Sequence, residues 1–374
     1  MGKKISIVGA GNAACVTALS YHLQGRVRGN EIDEIEIYYD PDVPIEKVGQ
    51  GTLPKLTGLI SQVLGINYYQ SDNKIKSTFK SGILYENWGK KTPKHFHPFL
   101  MDTMSIHYVP HLLSKAVLES GLFKVVEKNI EDPEEEIDSD FIFDCRGGGD
   151  RNKDLYRELT SPVNSVLLYN KKGRNPDLFY TRCVATPHGW TFVIPNTDSV
   201  SYGYLYNNTI TSIQEARKDF LERFDLPEVD GELNFENYVA KSMFVGERTI
   251  LNGNRFCFLE PLEATSTAFY ETVCGVAWNI VTGSADKESC NKLIQSEIER
   301  IERFVMWHYS KGSKYDTPFW KYAIKLSEGT WDRDNELQSI IEISRLESHT
   351  KFWDYTDAYS QWHINSIKNW DEVV

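Results

Sequence analysis

Lys4-Ile5-Ser6-Ile7-Val8-Gly9-Ala10-Gly11-Asn12-Ala13-Ala14 is the stretch that decides the fold. Ile5 to Val8 is a short apolar run of the kind that fills a strand, and it leads into Gly9-Ala10-Gly11 and then a helical pattern through His22-Leu23. Ile35-Glu36-Ile37-Tyr38-Tyr39 reads as the next strand, so residues 4 to 39 spell a βαβ unit. In that context Gly9-x-Gly11-x-x-Ala14 is a dinucleotide fingerprint. Gly9 permits the tight turn, Gly11 lets the backbone approach a pyrophosphate, and Ala14 stands where a third glycine is often found. The helix N-terminus offers free N–H groups and a positive dipole end to phosphates. Asp40, just past the second strand, is the candidate for holding a ribose. A βα turn that merely packs tightly would use the same glycines, and the fingerprint does not separate FAD from NAD.

Working outward, 374 residues with 41% hydrophobic content can bury a large core. The formal charge of −12 would repel a phosphate backbone, and the lysine pairs Lys90/Lys91 and Lys171/Lys172 read as solvated loop charges, so no nucleic-acid partner is expected. Cys15, Cys145, Cys183, Cys257, Cys274 and Cys290 lie in or beside apolar stretches without paired metal-ligand spacing. This favours small buried hydrophobes in a reducing cytoplasm and predicts no metal site. Lys3-Lys4 followed by an apolar run to Leu19 imitates a signal peptide, but Gly9 and Gly11 favour a strand turning into a helix. No segment reaches the roughly 20 uninterrupted apolar residues needed to cross a bilayer, so no membrane insertion is expected.

Ser77 to Trp88 reads as extended, with Lys80, Gly82 and Leu84 on one face. Pro110 to Gly121 reads as a short amphipathic helix. Asp140 to Gly149 is an apolar strand running into glycines, the shape of a parallel strand ending at a ligand crevice. Residues 161 to 210 are strand-rich and aromatic, with Gly189–Pro195 and Ser201–Tyr206 as adjacent strands. Ser212 with Glu215 is a capping box opening a helix to Phe224. Residues 285–309 and 335–347 are helical in period, and Trp353, Trp362 and Trp370 sit on a polar background in a short C-terminal cap. The expected division is 1–160 and 231–310 for a two-part dinucleotide module, 161–230 for a separate β-sheet module and 311–374 for the helical cap.

Phe258-Leu259-Glu260-Pro261-Leu262-Glu263-Ala264-Thr265-Ser266, read with Val48-Gly49-Gln50-Gly51-Thr52-Leu53-Pro54, resembles the flavin-dependent tryptophan halogenase family. Further matches fall in family order: Lys80 before Asn87-Trp88, His97-Pro98-Phe99, Gly189-Trp190 with Ile194-Pro195, and His308-Tyr309 with Asp316 to Trp320. The resemblance implies an α/β fold: a Rossmann-like FAD-binding domain of the flavin monooxygenase/halogenase type, an added substrate-side β-sheet and a short C-terminal helical cap. It implies FAD, used as FADH2, and a halide ion as cofactors. In the family, reduced flavin and oxygen give a flavin hydroperoxide, which halide attacks to form hypohalous acid; that oxidant travels to a separate substrate pocket.

The same resemblance assigns roles. The essential tunnel lysine carries over as Lys80 and the glutamate of the Pro-Leu-Glu string as Glu263, the two converging beyond the isoalloxazine. A lysine amine in a partly dry tunnel can hydrogen-bond hypohalous acid or capture the halogen as a haloamine. Burial favours its neutral form and a nearby carboxylate opposes that, so the two act as a coupled pair. Glu263 can also accept the ring proton after halogen addition. Backbone N–H groups of Thr265 and Ser266 are the candidates for holding halide. Gly49, Gln50 and Thr52 fall in the string that lines flavin, with Gln50 where the family carries glutamate. Trp190 and Phe192 fall in the aromatic motif thought to keep flavin from oxygenating substrate directly, Phe192 replacing its second tryptophan. His97 and Phe99 fall where members sandwich the substrate ring. Against these stand plainer readings: an edge-strand lysine guarding against aggregation for Lys80, a cap or ion-pair partner for Glu263, core packing for the aromatic residues.

Only about 54 residues follow Trp320, whereas tryptophan-specific members are longer and build a lid there. The chain is in this respect similar to compact members encoded by marine phages, which implies a more open pocket, broader acceptance of aromatic substrates, and readier use of bromide or iodide. A single dinucleotide fingerprint implies a separate NAD(P)H-dependent flavin reductase as partner. A homo-oligomer is compatible with the sequence. Two other functions remain: a flavin monooxygenase transferring oxygen directly to a ring, and a flavin-binding protein without turnover.

Overall fold

The computed structural model describes residues 2–29, 31–70, 72–99, 104–149, 151–173, 179–346, 359 and 362–374; Trp353, read above as part of the cap, lies outside them. The chain divides into two compact units, each assembled from three chain segments. The first comprises Met1–Thr78, Ser105–Leu159 and Asn237–Ile298, and the second Phe79–Met104, Thr160–Glu236 and Glu299–Val374.

The first unit is built on the opening stretch. Lys3–Val8, helix Asn12–Val27 and Ile32–Tyr39 are the expected βαβ unit, the strands pairing in parallel with Val8 opposite Tyr38. On its other side Lys3–Val8 pairs in parallel with Phe141–Asp144, and the full order is Phe244–Val245, Thr249–Leu251, Phe141–Asp144, Lys3–Val8, Ile32–Tyr39, Lys124–Glu127. Only the Phe244–Val245 edge strand is antiparallel. The chain winds outward from Lys3–Val8 in one direction and then returns to its opposite side, so the topological switch lies between that strand and Phe141–Asp144. Ligands of open α/β sheets bind outside the carboxyl ends of the strands at such a switch. Helix Asn12–Val27 is buried almost all round because its residues are small where others approach: a Cβ on Gly253 would lie 2.4 Å from that of Ala13.

The second unit holds a seven-stranded sheet in the order Gly231–Asn234, Ser165–Lys172, Ser199–Tyr206, Gly189–Pro195, Thr181–Thr186, Gly82–Glu86, Lys94–Pro98. Gly189–Pro195 and Ser199–Tyr206 are adjacent and antiparallel, as their alternation predicts. The Ser212/Glu215 capping box forms in full and opens helix Ile213–Phe224, which lays Ala216 and Phe220 on Leu167, Tyr204 and Tyr206. The helices at Pro110–Leu118, Lys287–Ser310 and Asn335–Arg345 match their predicted periods.

One expectation needs correcting. Ser77 to Trp88 is not a continuous extended run: Thr78–Lys80 and Gly82–Glu86 are separate strands, broken at Ser81. The Ser81 N–H and hydroxyl both donate to the Phe179 carbonyl at 2.8 Å, while its own carbonyl accepts from Phe99 N–H at 2.9 Å.

Candidate active site

In the first unit a cleft opens at the switch point, lined by the turn Gly9 to Ala13, the segment Tyr38 to Asp40, the following loop Val43 to Glu46, Cys145 to Gly147, and Asn254 and Tyr270. Gly9 has φ +119°, and a Cβ there would sit 2.8 Å from the Cys145 carbonyl oxygen. Only glycine lets the two strand ends close to the spacing at which Cys145 N–H bonds the Val8 carbonyl at 2.8 Å. Gly11 differs: its φ of −74° is open to any residue and a Cβ would meet nothing within 4 Å. The missing side chain leaves space over the start of a helix with no side-chain cap and no acid in its first turn. These are the features a pyrophosphate needs, and they fit the phosphate part of a dinucleotide.

Of the residues assigned to the cofactor, Gly9, Gly11 and Asp40 meet in this cleft. One Asp40 carboxylate oxygen accepts the Asp42 N–H at 2.9 Å, which sets the loop after the strand. Ala14 is buried within the helix. Gly49, Gln50 and Thr52 are not among the lining residues. The Thr52 hydroxyl is tied to Ser105 and to the Ile106 backbone, while the Gln50 amide donates to Glu46 at 3.4 Å.

The cleft also contains residues that the sequence reading missed. Arg146, at the end of Phe141–Asp144, makes a two-point contact with Asp144 at 2.8 and 2.9 Å and donates to the carbonyls of Ile130 and Glu131. It fastens two cleft walls together, and its place after a strand running into glycines was the signal for it. Glu46 carries no periodic signal; enclosure by protein raises its carboxyl above the ordinary value. All six cysteines are buried and outside any disulfide, and burial pushes the cleft-lining Cys145 thiol up, out of the reactive range.

The Pro-Leu-Glu string forms a tight turn, Leu262–Ala264, before helix Thr265–Val281. Glu263 and Ala264 both hold left-handed backbones, φ +70° and +52°, a strained pair for side-chain-bearing residues. Glu263 is 5% exposed. Thr265 and Ser266 are the first residues of the helix, whose start carries no side-chain cap. Tyr270 of the same helix lines the cleft, about 6 Å along the axis from Ser266.

In the second unit Lys80 is 1% exposed, and its amine lies 5.1 Å from the centre of the Phe99 ring. An edge lysine kept for solubility would be in water. His97 is buried, its ring stacked on Trp362 at 4.1 Å and 16° and edge-on to Phe99 at 6.2 Å. Burial, then the neighbouring His363, His95 and His308 and the Lys80 amine, hold its imidazole well below its ordinary pKa. Phe192 fills the space over Gly203, directly opposite on the next strand, and Trp190 contacts both Phe192 and Trp88. Several other strings quoted above build core: Trp88 packs on Tyr309 and Trp320, whose indole donates to the Thr186 carbonyl at 2.7 Å. The structure thus gathers Lys80, His97, Phe99, Trp190 and Phe192 in one unit, and the dinucleotide and Pro-Leu-Glu residues in the other.

The comparisons agree on the lineage. The profile of the family described as "Tryptophan halogenase" matches residues 4–117 and 124–361. The tryptophan 7-halogenase RebH of Lentzea aerocolonigenes is 22% identical over 91% of this chain and 83% of its own length. The tryptophan 6-halogenase ThaL of Streptomyces albogriseolus is 25% identical over 46% of this chain and 34% of its own. Among solved structures, a tryptophan halogenase from Shewanella frigidimarina superposes with a TM-score of 0.80 at 17% identity, covering 99% of this chain and 88% of that one. A flavin-dependent halogenase from Xanthomonas campestris gives 0.79 at 18%, covering 100% and 90%. The fold is therefore that of the flavin-dependent halogenases, an α/β architecture with a Rossmann-type FAD-binding sheet. The chain belongs to the tryptophan halogenase family, a family of flavin-dependent enzymes.

Among the described residues no helix is long and apolar enough to cross a membrane.

Proposed function

We propose that this chain is an FADH2-dependent halogenase that uses O2 to oxidise halide to hypohalous acid and halogenates electron-rich aromatic or indolic small molecules. The observation that carries this reading is Lys80, an amine-bearing side chain withdrawn almost completely from water beside the Phe99 ring. Lysine is among the residues least often fully buried, and a fold bears that cost where the amine is used.

Bound reduced FAD supplies, with O2, the two-electron oxidation of halide. Gly9, Gly11 and the helix start hold its pyrophosphate, Asp40 takes the ribose, and Gly49, Gln50 and Thr52 shape the flavin end. Backbone N–H groups of Thr265 and Ser266 hold the halide at the uncapped helix start. The Lys80 amine hydrogen-bonds hypohalous acid or captures its halogen, and Glu263 accepts the ring proton lost on substitution. His97 and Phe99 form the wall on which a flat substrate stacks, and Trp190 and Phe192 keep flavin and substrate apart. Cofactor chemistry falls in 1–160 and 231–310 apart from Phe79–Met104, and substrate binding in 161–230 with the cap 311–374 and with His97 and Phe99 of that segment.

The pocket is open to solvent, broad in substrate, and favours bromide or iodide. A separate NAD(P)H-dependent flavin reductase in the cytoplasm supplies reduced flavin. Mass spectrometry of products from a mixed indole and phenol library, run with each halide, tests this. Halogenated products from several scaffolds are expected; strict selectivity for free tryptophan, or dominance of chloride at equal halide concentrations, would remove the corresponding part.

A further inference from the structure

The cleft that fits an anionic dinucleotide contains an acid that such a ligand should not tolerate in its charged form. Glu46 lies in the loop after Ile32–Tyr39 and lines the same cleft as Gly9 and Gly11. Its side chain is solvent-exposed in the open cleft, with protein on the cleft walls around it. The only hydrogen bond shown to its carboxylate, among the described residues, is the 3.4 Å contact from the neutral Gln50 amide. Among the described residues no lysine or arginine forms an ion pair with it: Lys128 is engaged with Glu136 and Arg146 with Asp144, and Lys47, its chain neighbour, lies beside His111. The titratable groups facing it are Tyr108 from the strand Ser105–Tyr108, Tyr270 from helix Thr265–Val281, and His111, whose ring meets the Glu46 carbonyl. Tyr39, Asp40, Lys128 and Arg146 line the rest of the cleft.

We propose that Glu46 is a proton-linked cofactor-binding residue: its carboxylate takes up a proton when FAD seats, and the neutral acid then lies against the ligand as a hydrogen-bond donor. This rests on the cleft being the FAD site. Two physical effects act in one direction. The surrounding walls disfavour the anion to the limited extent that open solvent allows before the ligand arrives, and a pyrophosphate in the same cleft adds like-charge repulsion and removes that solvent. The pyrophosphate diester has no proton of its own to exchange near neutral pH, so the proton comes from solvent and goes to Glu46. Binding is then strongest where Glu46 is protonated beforehand, and weakens by up to about tenfold per pH unit between its free and bound titrations.

The test is the Kd for oxidised FAD, read by quenching of flavin fluorescence from about pH 5.5 to 8.5 on the whole chain, with calorimetry in two buffers to count protons. Wild type should bind more weakly as pH rises and take up a proton. Glu46→Gln should remove both effects and bind more tightly than wild type at the alkaline end, by about tenfold. His111→Gln, the control for the nearest imidazole, should keep the wild-type slope. A Glu46→Gln variant that keeps the slope, or binds more weakly at alkaline pH, overturns the proposal while leaving the FAD site standing. A slope abolished by His111→Gln does the same. Failure of folded wild type to bind FAD would remove both.

Discussion

The two glycines of the opening turn should respond oppositely to the same change. In Gly9→Ala the new Cβ must lie 2.8 Å from the Cys145 carbonyl oxygen and 3.0 Å from its carbon, on a backbone at φ +119°. Left-handed strain costs about 1–2 kcal/mol and overpacking against fixed backbone about 1–3 kcal/mol. Together these give a loss of about 3 kcal/mol, or about 4 °C in unfolding temperature for a chain of this length unfolding as a whole. In Gly11→Ala the Cβ projects into open space at φ −74°, and stability should change by less than about 1 kcal/mol. That space is where the pyrophosphate must approach, so the Kd for FAD should rise at least about tenfold, equivalent to 1.4 kcal/mol. Thermal unfolding without ligand and FAD titration separate the two effects. An unchanged unfolding temperature for Gly9→Ala, or wild-type FAD affinity for Gly11→Ala, would refute the reasoning.

Two further substitutions probe the scaffold. Glu36 is fully buried and salt-bridged to Lys4 and Lys124. Burial alone would raise its carboxyl, but hydrogen bonds from Lys124, Lys4 and Tyr38 outweigh that and hold it below the ordinary value. Its stabilisation is therefore present above the unfolded carboxylate pKa and lost as pH falls through the folded one. Glu36→Gln should cost about 1–2 kcal/mol at neutral pH, allowing for water at the lysine amines, with a smaller cost in acid; urea unfolding at both pH values would show this. In Gly203→Ala the Cβ would lie 2.1 Å from the Phe192 ring, so a loss of about 1–3 kcal/mol is expected, relieved by also making Phe192→Leu.

What the sequence disclosed was local chemistry. Gly9-Ala-Gly11 was legible because a turn and a helix start are specified within a few residues, and the Ser212/Glu215 box for the same reason. The ordered strings placed the chain in its family, although several of them, such as Trp88 with Trp320, serve the core. What stayed hidden depends on partners distant in sequence. The break at Ser81 is made by the carbonyl of Phe179, and the face of His97 is covered by Trp362. Glu46 lies in a loop without periodicity, and its surroundings come from three other segments. The left-handed pair Glu263-Ala264 carries no glycine to announce it.

The most direct measurement is of product from wild type and Lys80→Ala, each given reduced FAD, O2 and an indole, with and without bromide. Wild type should give brominated product only when bromide is present, and Lys80→Ala should lose about 10²–10⁴-fold of that activity while binding FAD as before. Hydroxylated indole formed by Lys80→Ala without halide would contradict halogenation and identify an oxygen-transferring monooxygenase instead. FAD binding with no product from wild type under any halide would leave a flavin-binding protein without turnover.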